Sequence, residues 1–236
     1  MNLPEVLVSN GQVDHLVVAA HDLDQGARWC RDTLGVEPLP GGRHPLMATH
    51  NLLLKLGGAA WPACYLEIIA INPHADTPPA AGRKRWFGLD DPQQRERVRR
   101  APGLVHFVAR VPQLQRAASA LAAIGDDIGD IVAASRPTST GELRWRISVR
   151  ADGVPRYRGS LPTLIEWGGV HPTRAMPDSG ISLLTMQARS DNPPALRRAW
   201  DAIGLQSVQL SEDASQPALE AVLQTPLGPV RLQTAI

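Results

Sequence analysis

The chain has 236 residues, of which 43% are hydrophobic and 20% charged, a composition that excludes disordered and fibrous proteins. Its 24 basic and 23 acidic residues give a net charge of +1, so no global field attracts nucleic acid or an anionic membrane. No apolar run reaches the roughly 20 residues that span a bilayer, and the first ten residues lack the basic start of a signal peptide. Cys30 and Cys64 lie in apolar segments and predict buried free thiols in the cytoplasm, although one bridge is compatible with their number.

The same order of elements, a strand, a helix and three further strands, starts at three places in the chain. In each copy a glycine ends the helix 19 to 21 residues after the middle of the first strand. The pairs of positions are His15 and Gly35, His106 and Gly125, and Leu183 and Gly204. This spacing predicts an α+β fold of three βαβββ modules, at 11–72, 102–170 and 179–236.

A long connection, residues 73–101, separates the first two modules. It is rich in proline and contains Trp86-Phe87 followed by a polar, basic stretch. Connections of this length are usually functional or mobile. Two interpretations stay open: a solvated crossover with a short surface helix, and a lid in which Trp86 and Phe87 close a pocket and contact its substrate. Nucleic-acid binding suits neither the short basic run nor the nearly neutral chain.

Each of the first two modules carries a histidine in its first strand and a glutamate in its last. His15 and Glu67 form the first such set, His106 and Glu166 the second, and apolar residues flank all four. A carboxylate within an apolar strand is costly unless it is paired or bound to a cation. If the two modules pair by pseudo-symmetry, the four side chains converge on one pocket. They then suit Fe(II), Mn(II), Zn(II) or Ni(II), and a glutamate can also serve as a base.

Each of these residues also has a structural interpretation. A lone strand histidine is more often a hydrogen-bonded core residue than a metal ligand, and a buried glutamate can pair with Arg144, Arg146 or Arg150. The third module supports the functional interpretation, because Leu183 takes the place of the histidines and the closing strand has no carboxylate.

Two segments open and close the first module, Asp14-His15-Leu16-Val17-Val18 and Tyr65-Leu66-Glu67-Ile68-Ile69-Ala70. Five further segments are distinctive: Gly41-Gly42-Arg43-His44-Pro45, Thr49-His50-Asn51, Arg85-Trp86-Phe87-Gly88-Leu89-Asp90, Ile165-Glu166-Trp167 and His171-Pro172. The first two resemble the vicinal-oxygen-chelate superfamily, which includes glyoxalase I, extradiol dioxygenases, methylmalonyl-CoA epimerase and metal-free bleomycin-binding proteins. The others resemble the glyoxalase-like domain proteins within it.

The resemblance implies curved mixed sheets with helices on their outer face, and metal ligands at His15, Glu67, His106 and Glu166. It also implies a divalent ion that coordinates two neighbouring oxygens of a small-molecule substrate. A glutamate beside the ion then moves a proton, as in a lyase or isomerase. A metal-free binding or sequestration protein and an Fe(II) ring-cleaving dioxygenase are the alternatives. Because the superfamily commonly uses two or four modules, the third is expected to pair in a homodimer or to cover one end of the sheet.

Three further residues are candidates for the same pocket. His50 is a candidate ligand or acid–base group if its face of the strand, opposite to that of Asn51, is the concave one. Arg43 and His44 lie in the Gly-Gly turn and are candidates for contacting an anionic group of the substrate, with a solvated hairpin tip as the alternative. His171 is interpreted as structural.

Overall fold

The computed structural model describes residues 10–138, 141–211 and 218–234. Residues 1–9, which make up nearly all of the segment behind the signal-peptide expectation, lie outside these ranges. The first module contains β1 (Gln12–Ala19), α1 (Leu23–Trp29), which continues into a wider turn at Cys30–Leu34, β2 (Leu39–His44), β3 (Thr49–Leu56) and β4 (Cys64–Ile71). The connection contains α2 (Pro92–Arg100), and the second module contains β5 (Gly103–Arg110), α3 (Leu114–Ala123), β6 (Asp130–Thr138), β7 (Gly141–Val149) and β8 (Thr163–Trp167). The remaining elements are β9 (Ser182–Arg189), α4 (Pro193–Ile203), β10 (Gln209–Ser211), β11 (Leu219–Thr225) and β12 (Gly228–Gln233).

The first two modules form one curved, eight-stranded mixed sheet with the order β2-β3-β4-β1-β5-β8-β7-β6. β1 and β5 are the antiparallel central pair, while β1 is parallel to β4 and β5 is parallel to β8. The two halves therefore share one strand order and are related by a pseudo-twofold axis between β1 and β5. The predicted α+β class with a curved mixed sheet is confirmed.

Alternation along the strands divides the side chains between two faces. Leu16 and Phe107 pack with the helices in the larger core. Val17 and Val108 lie on the concave face, in a second core that includes Phe87 of the connection. Because the helices occupy the outer face, the concave face is left for a site.

The connection crosses this concave face before it forms α2. A tight turn inserts Phe87, whose side chain is buried, into the second core. Backbone bonds from Lys84 to Ala151 and from Gly88 to Gly153 tie the turn to the second module. Phe87 has a left-handed φ of 57°, a conformation that bulky residues rarely adopt, so its packing holds the backbone in place.

The third module keeps the predicted order of elements but not the strand order of the other two. Its separate sheet has the order β10-β9-β11-β12, with β10 parallel and β11 antiparallel to β9. In the first two modules the first strand instead lies beside the last. The third module therefore has the βαβββ element order but pairs its strands differently from the first two.

The third module packs on the helix-bearing side of the large sheet, where α4 contacts α3. Trp200 Nε1 donates a hydrogen bond to the carbonyl of Ser160 at 3.1 Å, and Gly57 pairs with Ser182. The buried residues of α4 are Leu196, Ala199, Trp200 and Ile203. Because the chain itself covers this apolar face, the face no longer gives a reason to expect a homodimer through the third module.

Two further expectations concern the chain as a whole. Cys30 and Cys64 are buried free thiols, as predicted. Within the described ranges, no helix combines the length and apolar character needed to cross a lipid bilayer.

Candidate active site

A cleft of about 500 Å³, partly open to solvent, lies on the concave face. Strands of the first module supply its polar floor, and the connection and the second module supply aromatic walls and one arginine. The residues used below are His15, His44, Asn51, Tyr65, Glu67, Trp86, Phe87, Arg136, Trp145 and Trp167.

His15 and Glu67 face each other on the floor of the cleft, because neighbouring β1 and β4 present them on one face. His15 Nε2 lies 3.6 Å from Glu67 Oε2, and both side chains are buried. Glu67 Oε1 accepts a hydrogen bond from Asn51 Nδ2 at 2.5 Å. Burial alone would raise the carboxyl pKa, but the interactions with His15, assisted by Asn51, hold the pKa of Glu67 below its usual value. Glu67 is therefore ionised at neutral pH.

Asp14 holds the imidazole of His15 from the other side. His15 Nδ1 donates to Asp14 Oδ1 at 2.7 Å, and Trp167 Nε1 and His171 Nε2 both donate to Asp14 Oδ2 at 2.9 Å. Burial opposes the imidazolium, but the carboxylates of Asp14 and Glu67 outweigh it and raise the pKa of His15 to about 9. His15 is therefore a cation at neutral pH.

Aromatic and polar neighbours fix the orientation of this pair. Tyr65 stacks on His15 with ring centroids 4.4 Å apart. His44 Nε2 lies 3.4 Å from Asn51 Nδ2. Burial lowers the pKa of His44, and the charges of Arg136 and His15 act in the same direction, so this imidazole is neutral.

Gly41-Gly42 makes room for the amide of Asn51. The Gly42 N–H donates to Asn51 Oδ1 at 2.7 Å, and a Cβ on Gly41 would collide with that oxygen. The glycine pair therefore contributes to the site through the space it leaves.

His106 occupies the position in the second module that His15 occupies in the first. Across the central pair, Val17 is opposite His106 and His15 is opposite Val108, as a pseudo-twofold axis requires. The Thr163 N–H donates to His106 Nε2 at 3.0 Å. Burial, with the charge of His15, lowers the pKa of His106 to about 3, so the ring is neutral and its Nε2 lone pair is engaged.

The strand register makes Thr163, and not Glu166, the counterpart of Glu67. In the first module Val17 pairs with Glu67, and in the second its equivalent, Val108, pairs with Thr163. Glu166 lies three positions further along, so it points to the opposite face of the sheet.

Glu166 accordingly belongs to the helix-bearing side. Its carboxylate accepts hydrogen bonds from Arg146 Nη2 at 2.7 and 2.8 Å and from the Leu114 N–H, at the start of α3, at 2.6 Å. The prediction that Glu166 is a ligand or base in the cleft is wrong, and the alternative of a glutamate paired with an arginine describes it correctly.

These positions decide whether one divalent ion fits the four expected ligands. Two donor atoms, His15 Nε2 and Glu67 Oε2, face each other. The lone pair of His106 Nε2 accepts from Thr163, and Glu166 lies on the other face. In the part of the chain that the structure describes, no three His, Cys, Asp or Glu side chains are placed to hold a metal ion. Since zinc sites, for example, use at least three protein ligands, the four residues do not fit a shared ion.

His50 and Arg43 point away from the cleft. Asn51 and Leu53 line it, so alternation places His50 on the helix-bearing face, and Arg43, which pairs with His50 across β2 and β3, is exposed on that same face. Their predicted places in the pocket are therefore wrong. His44 does line the cleft.

Trp86 and Phe87 separate this cleft from a second one of about 420 Å³, which contains His106. Their rings stack 5.2 Å apart. Trp86 lies edge-on to His44 at 5.1 Å, and Phe87 lies 5.2 Å from His106. The pair thus forms a wall of both clefts, and its contact with substrate stays a prediction.

The sequence interpretation did not propose Asp14, Asn51, Tyr65, Arg136, Trp145, Trp167 or His171 for this arrangement. Asp14 could have been found as a second ionisable group beside His15 in an apolar strand, and Asn51 as the residue on the face opposite to His50. His171 was misjudged, since only the fold shows that it reaches Asp14.

A sequence profile of the glyoxalase-like domain matches residues 13–204. The chain belongs to the glyoxalase-like domain family. This assignment confirms the resemblance, and the matched span includes every residue of the cleft discussed above. A comparison with curated proteins finds no match.

A solved structure with a TM-score above 0.5 shows the same fold at low identity. A hypothetical protein from Staphylococcus aureus has a TM-score of 0.57 at 15% identity, covering 95% of this chain and 86% of that one. The methylmalonyl-CoA epimerase of Mycobacterium tuberculosis has a TM-score of 0.39 at 17% identity, covering 70% and 91%. The methylmalonyl-CoA epimerase of Streptomyces coelicolor has a TM-score of 0.42 at 18% identity, covering 68% of this chain and 96% of that one.

Proposed function

We propose that this glyoxalase-like protein is a cytoplasmic enzyme of the lyase or isomerase type that moves a proton on a small oxygenated substrate. The observation that supports this proposal is the buried ion pair of His15 and Glu67, 3.6 Å apart and open to the cleft. Burying two charges is costly. Ionisable groups whose pKa values are shifted by burial and by specific partners cluster at active sites.

Glu67 is the candidate base and His15 the candidate acid. Glu67 takes a proton from a carbon beside a carbonyl group, and His15 gives its Nε2 proton to the carbonyl oxygen, which leaves a neutral enol. The two transfers assist each other, because the lost charge of His15 is what held the pKa of Glu67 down. If the deprotonated carbon carries a hydroxyl group, Glu67 returns its proton to the former carbonyl carbon while that hydroxyl gives its proton to His15, and the product is the isomeric carbonyl compound. If the carbon next to the deprotonated one carries a leaving group, the enol gives its O–H proton back to His15, the carbonyl re-forms and the leaving group departs with its bonding electrons, as in a lyase.

Exchange of carbon-bound hydrogen with D2O, followed by NMR, tests this proposal. We suggest dihydroxyacetone, pyruvate, 2-oxobutyrate and phenylpyruvate as probes. Glu67→Gln should slow the exchange by a factor of roughly 10² to 10⁴, the usual contribution of a general base. Glu166→Gln is the matched control, because this glutamate points away from the cleft, and it should retain the parent rate. Equal rates in the parent and Glu67→Gln would contradict the proposal.

The aromatic walls favour a second candidate, a protein that binds and sequesters a small molecule. The ring centroids of Trp145 and Trp167 lie 5.7 Å apart, and both residues line the cleft together with Trp86. Binding of the same probes without any hydrogen exchange would favour this function over catalysis.

A divalent ion is tested separately by thermal melting. A native-state ligand stabilises by RT ln(1 + [L]/Kd), roughly 2.7 kcal/mol at 100 Kd, which raises the melting temperature by several degrees. Because the four expected ligands do not converge, we expect Mn(II), Zn(II), Ni(II) and Fe(II) to leave the melting temperature unchanged. A metal-dependent rise that Glu67→Gln abolishes would reinstate the metal-dependent enzyme. An Fe(II) dioxygenase further needs two histidines and a carboxylate on one ion, which the positions of His106 and Glu166 do not provide.

A further inference from the structure

Arg136, on β6, places a guanidinium group at the cleft that holds His15 and Glu67. Arg144, Arg146, Arg150 and Arg156 of the same module each pair with a carboxylate. Within the described ranges, Arg136 has no carboxylate oxygen within 4.0 Å. Its charge is therefore available to a ligand in the cleft.

The hairpin opposite β6 leaves space for this guanidinium. A Cβ on Gly42 would lie 2.7 Å from Arg136 Nη1, so any larger residue would displace the arginine. The backbone of Gly42 does not have the positive φ that favours glycine. Glycine at this position therefore lets the guanidinium lie against the hairpin backbone.

The walls of the cleft suit a flat group. Trp145 and Trp167 are inclined at 47° to each other, with ring centroids 5.7 Å apart. The indole Nε1 of Trp86 is buried and finds no acceptor in the described part of the chain. A buried donor without an acceptor is unfavourable.

We propose that the cleft binds a flat organic carboxylate, with its carboxylate group on Arg136 and its planar body against the tryptophans. A guanidinium presents paired N–H donors that match the two oxygens of a carboxylate. This inference deepens the proposed function by naming a substrate class, and it depends on that proposal only through the shared cleft.

Isothermal titration with 2-naphthoate and its uncharged analogue 2-naphthamide tests the inference. Neither compound has a hydrogen beside a carbonyl that the proposed chemistry could remove, so the measurement reports binding alone. The parent should bind the naphthoate at least tenfold more tightly than the amide, a preference of the size expected for a hydrogen-bonded charge pair. Arg136→Gln should remove this preference while changing the affinity for the amide less than about twofold.

Two further variants make the result specific. Arg144→Gln removes an exposed arginine outside the cleft, on the strand next to β6, and should keep the preference for naphthoate. Gly42→Ala keeps Arg136 but displaces its guanidinium, and should weaken naphthoate binding. Equal affinities of the parent for the two compounds, no binding of either at millimolar concentration, or equal losses in Arg136→Gln and Arg144→Gln would overturn the inference. An Arg136-dependent preference for naphthoate in a protein that exchanges no substrate hydrogen would leave the inference standing and refute the catalytic proposal.

Discussion

Asp14→Ala should lower the free energy of unfolding by about 3–5 kcal/mol, the usual cost of removing one partner from a buried charge pair. Asp14 is fully buried and accepts hydrogen bonds from His15, Trp167 and His171. Alanine would leave three donors in the interior without their acceptor and would remove the charge that favours the His15 imidazolium. Urea unfolding, followed by tryptophan fluorescence, measures the change.

Two comparisons distinguish this effect from a general loss of an aspartate. Asp130→Ala removes a carboxylate that is 69% exposed and pairs with Arg83, so it should cost less than about 1 kcal/mol. Asp14→Asn keeps an acceptor oxygen and should fall between the two. An Asp14→Ala protein as stable as Asp130→Ala would show that the network around Asp14 does not hold the fold together.

The free energy of unfolding should pass through a maximum near pH 6.5, because His15 and His106 have pKa values shifted in opposite directions. The pKa of His15 is raised from 6.5 to about 9, so its contribution is complete below pH 6.5 and is lost as pH rises through 9. The pKa of His106 is lowered from 6.5 to about 3, so its contribution is complete above pH 6.5 and is lost as pH falls toward 3. At 1.36 kcal/mol per pKa unit, the full loss of stability is about 3 kcal/mol on the alkaline side, from His15, and about 5 kcal/mol on the acid side, from His106.

Chemical unfolding of three proteins between pH 5 and 8.5 checks this expectation. His15→Gln should flatten the alkaline slope, and His106→Gln should reduce the acid slope, to which His44 also contributes because its pKa is lowered as well. Asp14 and Glu67, whose pKa values are lowered, lose their contribution only below their usual range and so do not interfere in this window. A parent whose stability does not change between pH 5 and 8.5 would show that neither histidine is shifted in this way.

The sequence predicted the equivalence of His15 and His106 because each lies in the first strand of a module that a glycine-ended helix follows. It did not predict the place of Glu166, because a one-dimensional spacing does not specify the register of two parallel strands far apart in the chain. Glu166 lies an odd number of positions from Thr163, and this alone moves its side chain to the other face. The apparent repeat of glutamates was a coincidence of composition.

The local sequence pattern likewise could not predict which of His50 and Asn51 faces the cleft. Alternation separates the two residues, but the packing of distant helices determines which face of β3 is concave. The third module shows the same limit, since a strand, a helix and a strand also form a parallel crossover pair, as β9 and β10 do. Element order predicted the parts of the fold, and long-range pairing determined their arrangement.

The central β1–β5 pair has a consequence for synthesis on the ribosome. β1, with apolar Leu16, Val17 and Val18, is made long before Gly103–Arg110 can cover its free edge. Unpaired edges of apolar strands associate with other chains. A nascent chain that stalls within the connection therefore exposes the unpaired edge of an apolar strand, and a fragment ending before β5 should aggregate rather than fold. The two halves of the large sheet depend on each other from the moment the second emerges.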